Sequence, residues 1–206
     1  MANYSSKVFE TAVNELAKLP GIGEKTAMRL ALHLMRKDPL QANALGNSII
    51  AMRNEIKFCK ICHNISDSDT CSICNNSKRN HQTICIVEDV QDIMAIEKTH
   101  KYYGVYHVLG GKISPIDGIG PESLNINSLI DRIKREDPAE IIFALSPTLE
   151  GDTTSMYLFR LLGGINVRFS TIARGIAFGD ELEYTDDVTL GKSIENRVEF
   201  SPETAK

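Results

Sequence analysis

The sequence predicts an α+β multidomain chain, and three observations carry that expectation. Apolar residues recur at helical spacing over residues 1–57, four of the five cysteines crowd into residues 58–80, and strands alternate with helices from residue 83 to 172. With 206 residues, 42% of them hydrophobic and 24% charged, the composition is that of an ordinary globular chain, which excludes disordered, collagen-like and coiled-coil classes. No basic segment followed by an apolar run opens the chain, and no stretch approaches about 18 apolar residues, so neither a signal peptide nor a membrane span is expected. A cytoplasmic location follows as an expectation, and in that reducing compartment the cysteines read as metal or core chemistry before disulfides.

Each element has its own signal. Residues 6–18 place Val8, Phe9, Ala12, Val13 and Leu16 at helical spacing, and Leu19-Pro20-Gly21-Ile22-Gly23 breaks the pattern. A second helix over 24–37 carries Ala27, Leu30, Ala31 and Leu34 on one stripe, with Lys25, Arg29 and Arg36 largely opposite. Asp38-Pro39 ends it, and a third helix is expected over 40–57. Beyond the cysteines, strands are expected at 83–88, 103–109, 140–146 and 166–172, with helices from the end of the first strand to about 98, at 124–136 and at 154–162. Such alternation builds a mainly parallel sheet covered on both faces. A second Gly-Ile-Gly, at 118–120, reads as a loop entering a helix with Pro121 near its first position. The expected divisions are a helical domain over 1–57, a cysteine motif over 58–80, an α/β domain over 81–177 and a C-terminal segment over 178–206, the last in subunit contacts.

A formal net charge of −4 offers no global attraction to nucleic acid. Residues 1–80 nevertheless hold 11 Lys+Arg against 7 Asp+Glu, an excess of 4, which leaves the remainder at −8. The split suggests a basic N-terminal module facing an anion and an acidic remainder facing a metal or a basic partner.

Three constellations carry chemistry. In Cys59-x2-Cys62-x8-Cys71-x2-Cys74 each x2 spacing aims two thiolates at one ion, and two such knuckles complete a tetrahedral, closed and therefore structural zinc site, one per chain. Unliganded cysteines, or His63 replacing one of them, are the lesser alternatives. A segment so poor in large apolar residues would draw its folding free energy from the metal. Lys60, Lys78 and Arg79 flank the motif as phosphate contacts or solvated surface, and Cys85, between Ile84 and Ile86, reads as core. Zinc-bound thiolates subtract about 2 from the N-terminal positive excess.

The second constellation is the Pro-Gly turn between two helices. Gly21 and Gly23 let the turn approach a phosphate, the N–H groups opening the next helix form an anion site, and Lys25 and Arg29, one turn apart, add two contacts that do not read sequence. This pattern resembles the helix-hairpin-helix element of DNA-binding proteins; a purely structural turn is the competing reading. The third is acidic: Glu88 ends one strand and Glu150-Gly151-Asp152 follows another, so the carboxylates are expected to gather at the carboxyl end of the sheet, suiting Mg²⁺. They resemble the acids of the Toprim domain of topoisomerases and primases. Glu150 replaces the usual Asp, which weighs against tight metal binding and catalysis, and solvated acids at a helix N-terminus remain the alternative.

Taken in order, the blocks LPGIGEKTAMRLALHL, CKICHNISDSDTCSIC, ICIVED, YHVLGGKISPIDGIGPESLNI, SPTLEGDTTSMYL and ARGIAFGDELEYTDDVTLGKSIENR closely resemble the RecR family of bacterial recombination mediators, over essentially the whole chain. The resemblance implies a helix-hairpin-helix domain, a four-cysteine zinc motif, a Toprim domain and a C-terminal segment. It also implies a ring-shaped homotetramer that encircles DNA, is nucleoid-associated, and acts with RecO and RecF to load recombinase on single-stranded DNA. On the same basis Lys25 and Arg29 match DNA-contacting residues, and Glu88, Glu150 and Asp152 sit where RecO is engaged. Ser146 stands where the family more often carries Asn, with a loop adjustment expected. The resulting expectation is a non-enzymatic DNA clamp and adaptor. Its rival is a Mg²⁺-dependent phosphoryl-transfer enzyme, nuclease or primase-like, using the same acids; against it, no obvious Lys, His or Tyr catalytic partner lies near the acidic motifs, although Lys112 and Arg174 could converge on them.

Overall fold

Ser6 opens the first helix, its hydroxyl accepting the Phe9 N–H at 3.4 Å ahead of α1 (Lys7–Ala17). The computed structural model describes residues 4–199 and divides the chain into two units, Met1–Ile56 and Lys57–Lys206. In the first unit, α1 packs on α2 (Glu24–Met35) through Val13, Ala27 and Ala31, all buried, with Phe9, Leu16 and Ile22 around them. Alanines four residues apart put two small side chains on one face, which lets the helices approach closely. The third helix, α3 (Pro39–Glu55), starts one residue earlier than expected because Pro39 sits in its first turn, where the missing N–H costs nothing, and Asp38 caps it by accepting the Leu40 N–H at 2.8 Å. It stops at Glu55, short of the expected 57, because Lys57 is already extended. None of its residues is buried.

The second unit opens with a two-stranded antiparallel hairpin that periodicity could not reveal, β1 (Lys57–Phe58) paired with β2 (Ile65–Ser66). Four parallel strands follow: β3 (Asn80–Val87), β4 (Gly104–Val108), β5 (Glu140–Ala144) and β6 (Arg168–Thr171), in the order β4-β3-β5-β6. The connecting helices are α4 (Val90–Lys98), α5 (Ile126–Glu136) and α6 (Leu149–Leu162). β3 begins three residues before the expected strand, since Asn80 pairs with Gly104 across a register shift. α6 begins five residues before its expected start, because its first turn is polar and is nucleated by capping rather than by apolar spacing: Thr148 accepts the Gly151 N–H at 3.2 Å. Pro121 starts a short 3-10 turn, Pro121–Ser123, ahead of α5.

Side chains alternate across the sheet as a period of two requires. Ile86, Ile141 and Phe143 face Leu129 and Ile133 of α5 and Leu158 and Leu162 of α6, while Cys85, Val87, Tyr106 and Val108 pack against Ile93 of α4. Fully burying each such aliphatic side chain is worth about 1.5–3 kcal/mol. The chain runs from β3 one way to β4, then back across β3 to β5 and β6, so connections leave the carboxyl ends of adjacent β3 and β5 in opposite directions. That divergence creates the crevice in which α/β domains place ligands. Beyond β6, Asp186 caps α7 (Asp187–Glu195), accepting the Thr189 N–H at 2.9 Å. Of the C-terminal segment expected over 178–206, residues 200–206 lie outside the described residues.

Candidate metal centre and nucleic-acid interface

The two cysteine knuckles repeat one turn. The His63 N–H donates to the Cys59 carbonyl at 2.9 Å and the Asn75 N–H to the Cys71 carbonyl at 3.0 Å, so each chain segment folds back and aims both thiols inward. All four cysteines are buried and unpaired by disulfide, and their sulfurs lie within 4.8 Å of one another, with Cys62 Sγ 3.5 Å from Cys71 Sγ. Zn–S bonds of about 2.3 Å in a tetrahedron place sulfurs roughly 3.8 Å apart, so the donors fit zinc. Backbone N–H groups of Cys71 and Cys74 point at the sulfurs of Cys59 and Cys71, at 3.3 and 3.4 Å, as befits thiolate acceptors. Bonding to the Cys71 sulfur, with burial, pushes the Cys62 thiol up to about 12, and bonds to Cys62 and Cys71 raise Cys74, while the same contacts lower Cys71, so the crowded sulfurs do not all ionise on their own. Four thiolates therefore need a cation among them.

The knuckles are seated on the sheet. The Val108 N–H, on the β4 edge, donates to the Cys62 carbonyl at 2.9 Å. His63 is not a ligand; its φ of 61° turns the ring away, so that Nε2 lies 2.8 Å from the Ser128 hydroxyl of α5 and the ring meets that of His107 edge-on at 5.3 Å. His107 is fully buried, bonded through Nε2 to the Asn125 carbonyl at 2.9 Å with Nδ1 unpartnered, and burial pulls its pKa down to about 3. Arg132, also buried, donates to the Tyr106 carbonyl at 2.6 Å and to Glu136 at 2.9 Å. Sequence reasoning missed this His–Arg cluster, although a histidine amid an apolar strand and an arginine between Leu129 and Ile133 were visible signals. The flanking cations also read differently in three dimensions. Arg79 is committed to Glu97 and to the carbonyls of Tyr102 and Gly104 and is not free for phosphate, whereas Lys60, paired with Asp69 at 2.6 Å, and Lys78 are both exposed.

In the N-terminal unit the turn between α1 and α2 is closed by the Ile22 N–H on the Leu19 carbonyl at 3.0 Å. Gly21 has φ of 76°, a left-handed conformation that favours glycine. Gly23 caps α2 without a side chain, so the N–H groups opening α2 lack a side-chain acceptor at the cap, and nothing lies within 4 Å of where a Cβ would stand at either glycine. Lys25 and Arg29 are both exposed, as the stripe analysis requires. Backbone donors, a positive helix end and two cations thus lie in the first two turns of one helix.

The acidic constellation lies at the expected end of the sheet. Glu88 follows β3, while Glu150 and Asp152 lie in the first turn of α6, so all three belong to the carboxyl end of the sheet. They do not converge: among the described residues only the four cysteines form a cluster of three or more candidate metal ligands. Each acid has another partner. Glu88 Oε1 accepts the Ser146 N–H at 2.6 Å. Both Asp152 oxygens accept from Arg174, at 2.5 and 3.1 Å, and that guanidinium holds the carboxyl below its usual range. Glu150 is held low by its own backbone N–H and then by the Thr148 hydroxyl. Lys112 reaches the same helix end, 3.2 Å from the Thr148 hydroxyl. Ser146 contributes backbone alone: its N–H serves Glu88, and a Cβ at Gly151 would collide with its carbonyl oxygen, so only glycine fits there. With Asp152 held by Arg174 and Glu88 by the Ser146 N–H, no two of the three carboxylates stand free for a Mg²⁺ ion.

Comparison with known proteins covers nearly the whole chain. Family models match for a RecR helix-hairpin-helix over residues 9–53, a RecR zinc finger domain of the four-cysteine type over 56–76, a Toprim domain over 82–173 and a RecR C-terminal segment over 175–198. The chain is 58% identical to a recombination protein RecR of Phocaeicola vulgatus, over 96% of this chain and 97% of that protein. It is 57% identical to the one from Flavobacterium johnsoniae, over 96% of each chain, and 53% identical to the one from Porphyromonas gingivalis, again over 96% of each. With the four-cysteine zinc site, the hairpin and the parallel-sheet domain in the same order as in those models, the chain belongs to the RecR family of recombination proteins.

Proposed function

We propose that this chain is a DNA-binding clamp and adaptor in recombinational DNA repair, a homotetramer that closes around DNA and, with RecO and RecF, loads recombinase on single-stranded DNA. The observation that carries the reading is the hairpin, where Gly21 and Gly23 expose the opening of α2 beside Lys25 and Arg29. A single copy offers few cations, and several copies around one DNA multiply their field. Assembly is further supported by α3, which leaves Leu40, Ile49, Ile50 and Met52 each more than half exposed. The acidic surface at Glu88, Glu150 and Asp152 suits a basic protein partner. Among the described residues no helix is long and apolar enough to cross a membrane, and action on chromosomal DNA agrees with a cytoplasmic location. The phosphoryl-transfer alternative is disfavoured by the dispersal of its three carboxylates.

The test is a titration of DNA affinity against salt with Lys25→Ala/Arg29→Ala. Loss of two phosphate contacts weakens binding for all sequences alike and flattens the slope of log K against log salt by about 0.7–0.9 per contact. Unchanged affinity and slope would remove the hairpin from the interface.

A further inference from the structure

The crevice between the carboxyl ends of β3 and β5 is where a doubly wound sheet offers a ligand site, yet the chain's own groups bridge it. Glu88 reaches across to the Ser146 N–H, and the Ser146 carbonyl presses on Gly151 at the start of α6. Asp152 is taken on both oxygens by one guanidinium, which leaves Glu150 the least engaged of the three acids. A forked, permanently charged donor saturates a carboxylate in a way a hydrated ion must displace before it binds. The site also lies at the positive end of the α6 dipole, which favours the carboxylate and opposes a cation.

We propose that Arg174 is the resident cation of this acidic sheet end, standing where a divalent ion would and excluding it. The same contact has a second consequence. Arg174 lies between the Toprim match, ending at 173, and the C-terminal match, beginning at 175, so its pair with Asp152 ties the start of the C-terminal segment to α6. Lys192 and Glu195 of α7 line the same cleft as Asp152 and Arg174. Metal exclusion and tethering of the C-terminal segment are therefore one event.

The experiment uses the full, zinc-loaded chain with Mn²⁺ as the probe, free Mn²⁺ being followed by its paramagnetic resonance signal and residues 175–195 by amide hydrogen exchange. The native chain binds no Mn²⁺ at the millimolar level. Arg174→Gln raises Mn²⁺ affinity about tenfold or more by unmasking one carboxylate charge, the gain disappears in Arg174→Gln/Asp152→Asn, and exchange over 175–195 accelerates in both Arg174→Gln and Asp152→Asn. Arg174→Lys keeps the charge without the fork and gives a smaller gain of the same sign; it decides the matter if the glutamine variant does not fold. Asp152-dependent Mn²⁺ binding by the native chain, or no gain in a folded Arg174 variant, overturns the proposal.

Discussion

The two units are held together by opposite means. Lys57–Lys206 wraps a parallel sheet in buried aliphatic side chains, among them Ile84, Leu109, Leu129, Ile141 and Leu158, each with no exposed surface. Met1–Ile56 buries only Val13, Ala27 and Ala31 among its described residues, and its 17-residue α3 buries nothing. The contrast lies in how much core each unit closes for itself. The sheet unit closes a large core yet leaves Ile116, Leu149, Phe178 and Tyr184 exposed, whereas the hairpin unit presents cations on α2 and apolar side chains on α3 over almost no core.

Metal removal should widen that contrast most. Chelation, or Cys71→Ala, removes a folding contribution on the order of 10 kcal/mol from the knuckles. Hydrogen exchange should then show residues 57–79 open while the β3–β5 core stays protected; less than one zinc per chain with intact knuckles would contradict the structural role. Core truncation comes next. Leu158→Ala should cost about 2–5 kcal/mol in a denaturant melt, whereas Ile50→Ala on the exposed face of α3 should cost under about 0.5 kcal/mol in the folding of its unit and show instead as weakened assembly.

The buried His107 gives a smaller, pH-dependent effect. Its folded pKa of about 3 lies below the ordinary value of 6.5, so the fold holds it neutral while the unfolded chain takes up a proton. The stability this confers is complete above about pH 6.5 and is lost as pH falls toward 3, at about 1.4 kcal/mol per pH unit at most. His107→Gln should flatten that acid limb in urea midpoints measured from pH 7 to 5; an unchanged limb would place the acid sensitivity elsewhere. The smallest stability effect belongs to Lys25→Ala/Arg29→Ala, within about 0.5 kcal/mol of native, since both side chains are exposed. That near-neutrality is what makes the pair a clean probe of DNA contact.

What is legible in the sequence follows the range of the forces involved. Local signals, the x2 cysteine spacing, the Pro-Gly turn and the short apolar runs such as Ile84–Val87 that alternate with helical stretches, locate the zinc donors, the hairpin and the sheet. Arg174, read as a cation able to converge on the acids, does meet Asp152, but other pairings distant in sequence are not legible: Glu88 with the Ser146 N–H, and His63 with Ser128. Topology puts the acids at the correct end of the sheet, but which cation each meets depends on where residue 174 returns to α6. Capping also defeats periodicity at α6, whose first turn offers Thr148, Glu150 and Asp152 where an apolar stripe would have announced a helix.

The central claim is that the hairpin unit works only as part of an assembly around DNA, and the solution mass of the zinc-loaded chain, with and without DNA, tests it most directly. A mass near four times 22.8 kDa, reduced by Ile50→Ala and retained when DNA binds, is the result this account predicts. A 22.8 kDa monomer that binds DNA with the same affinity and salt slope at every protein concentration would contradict it.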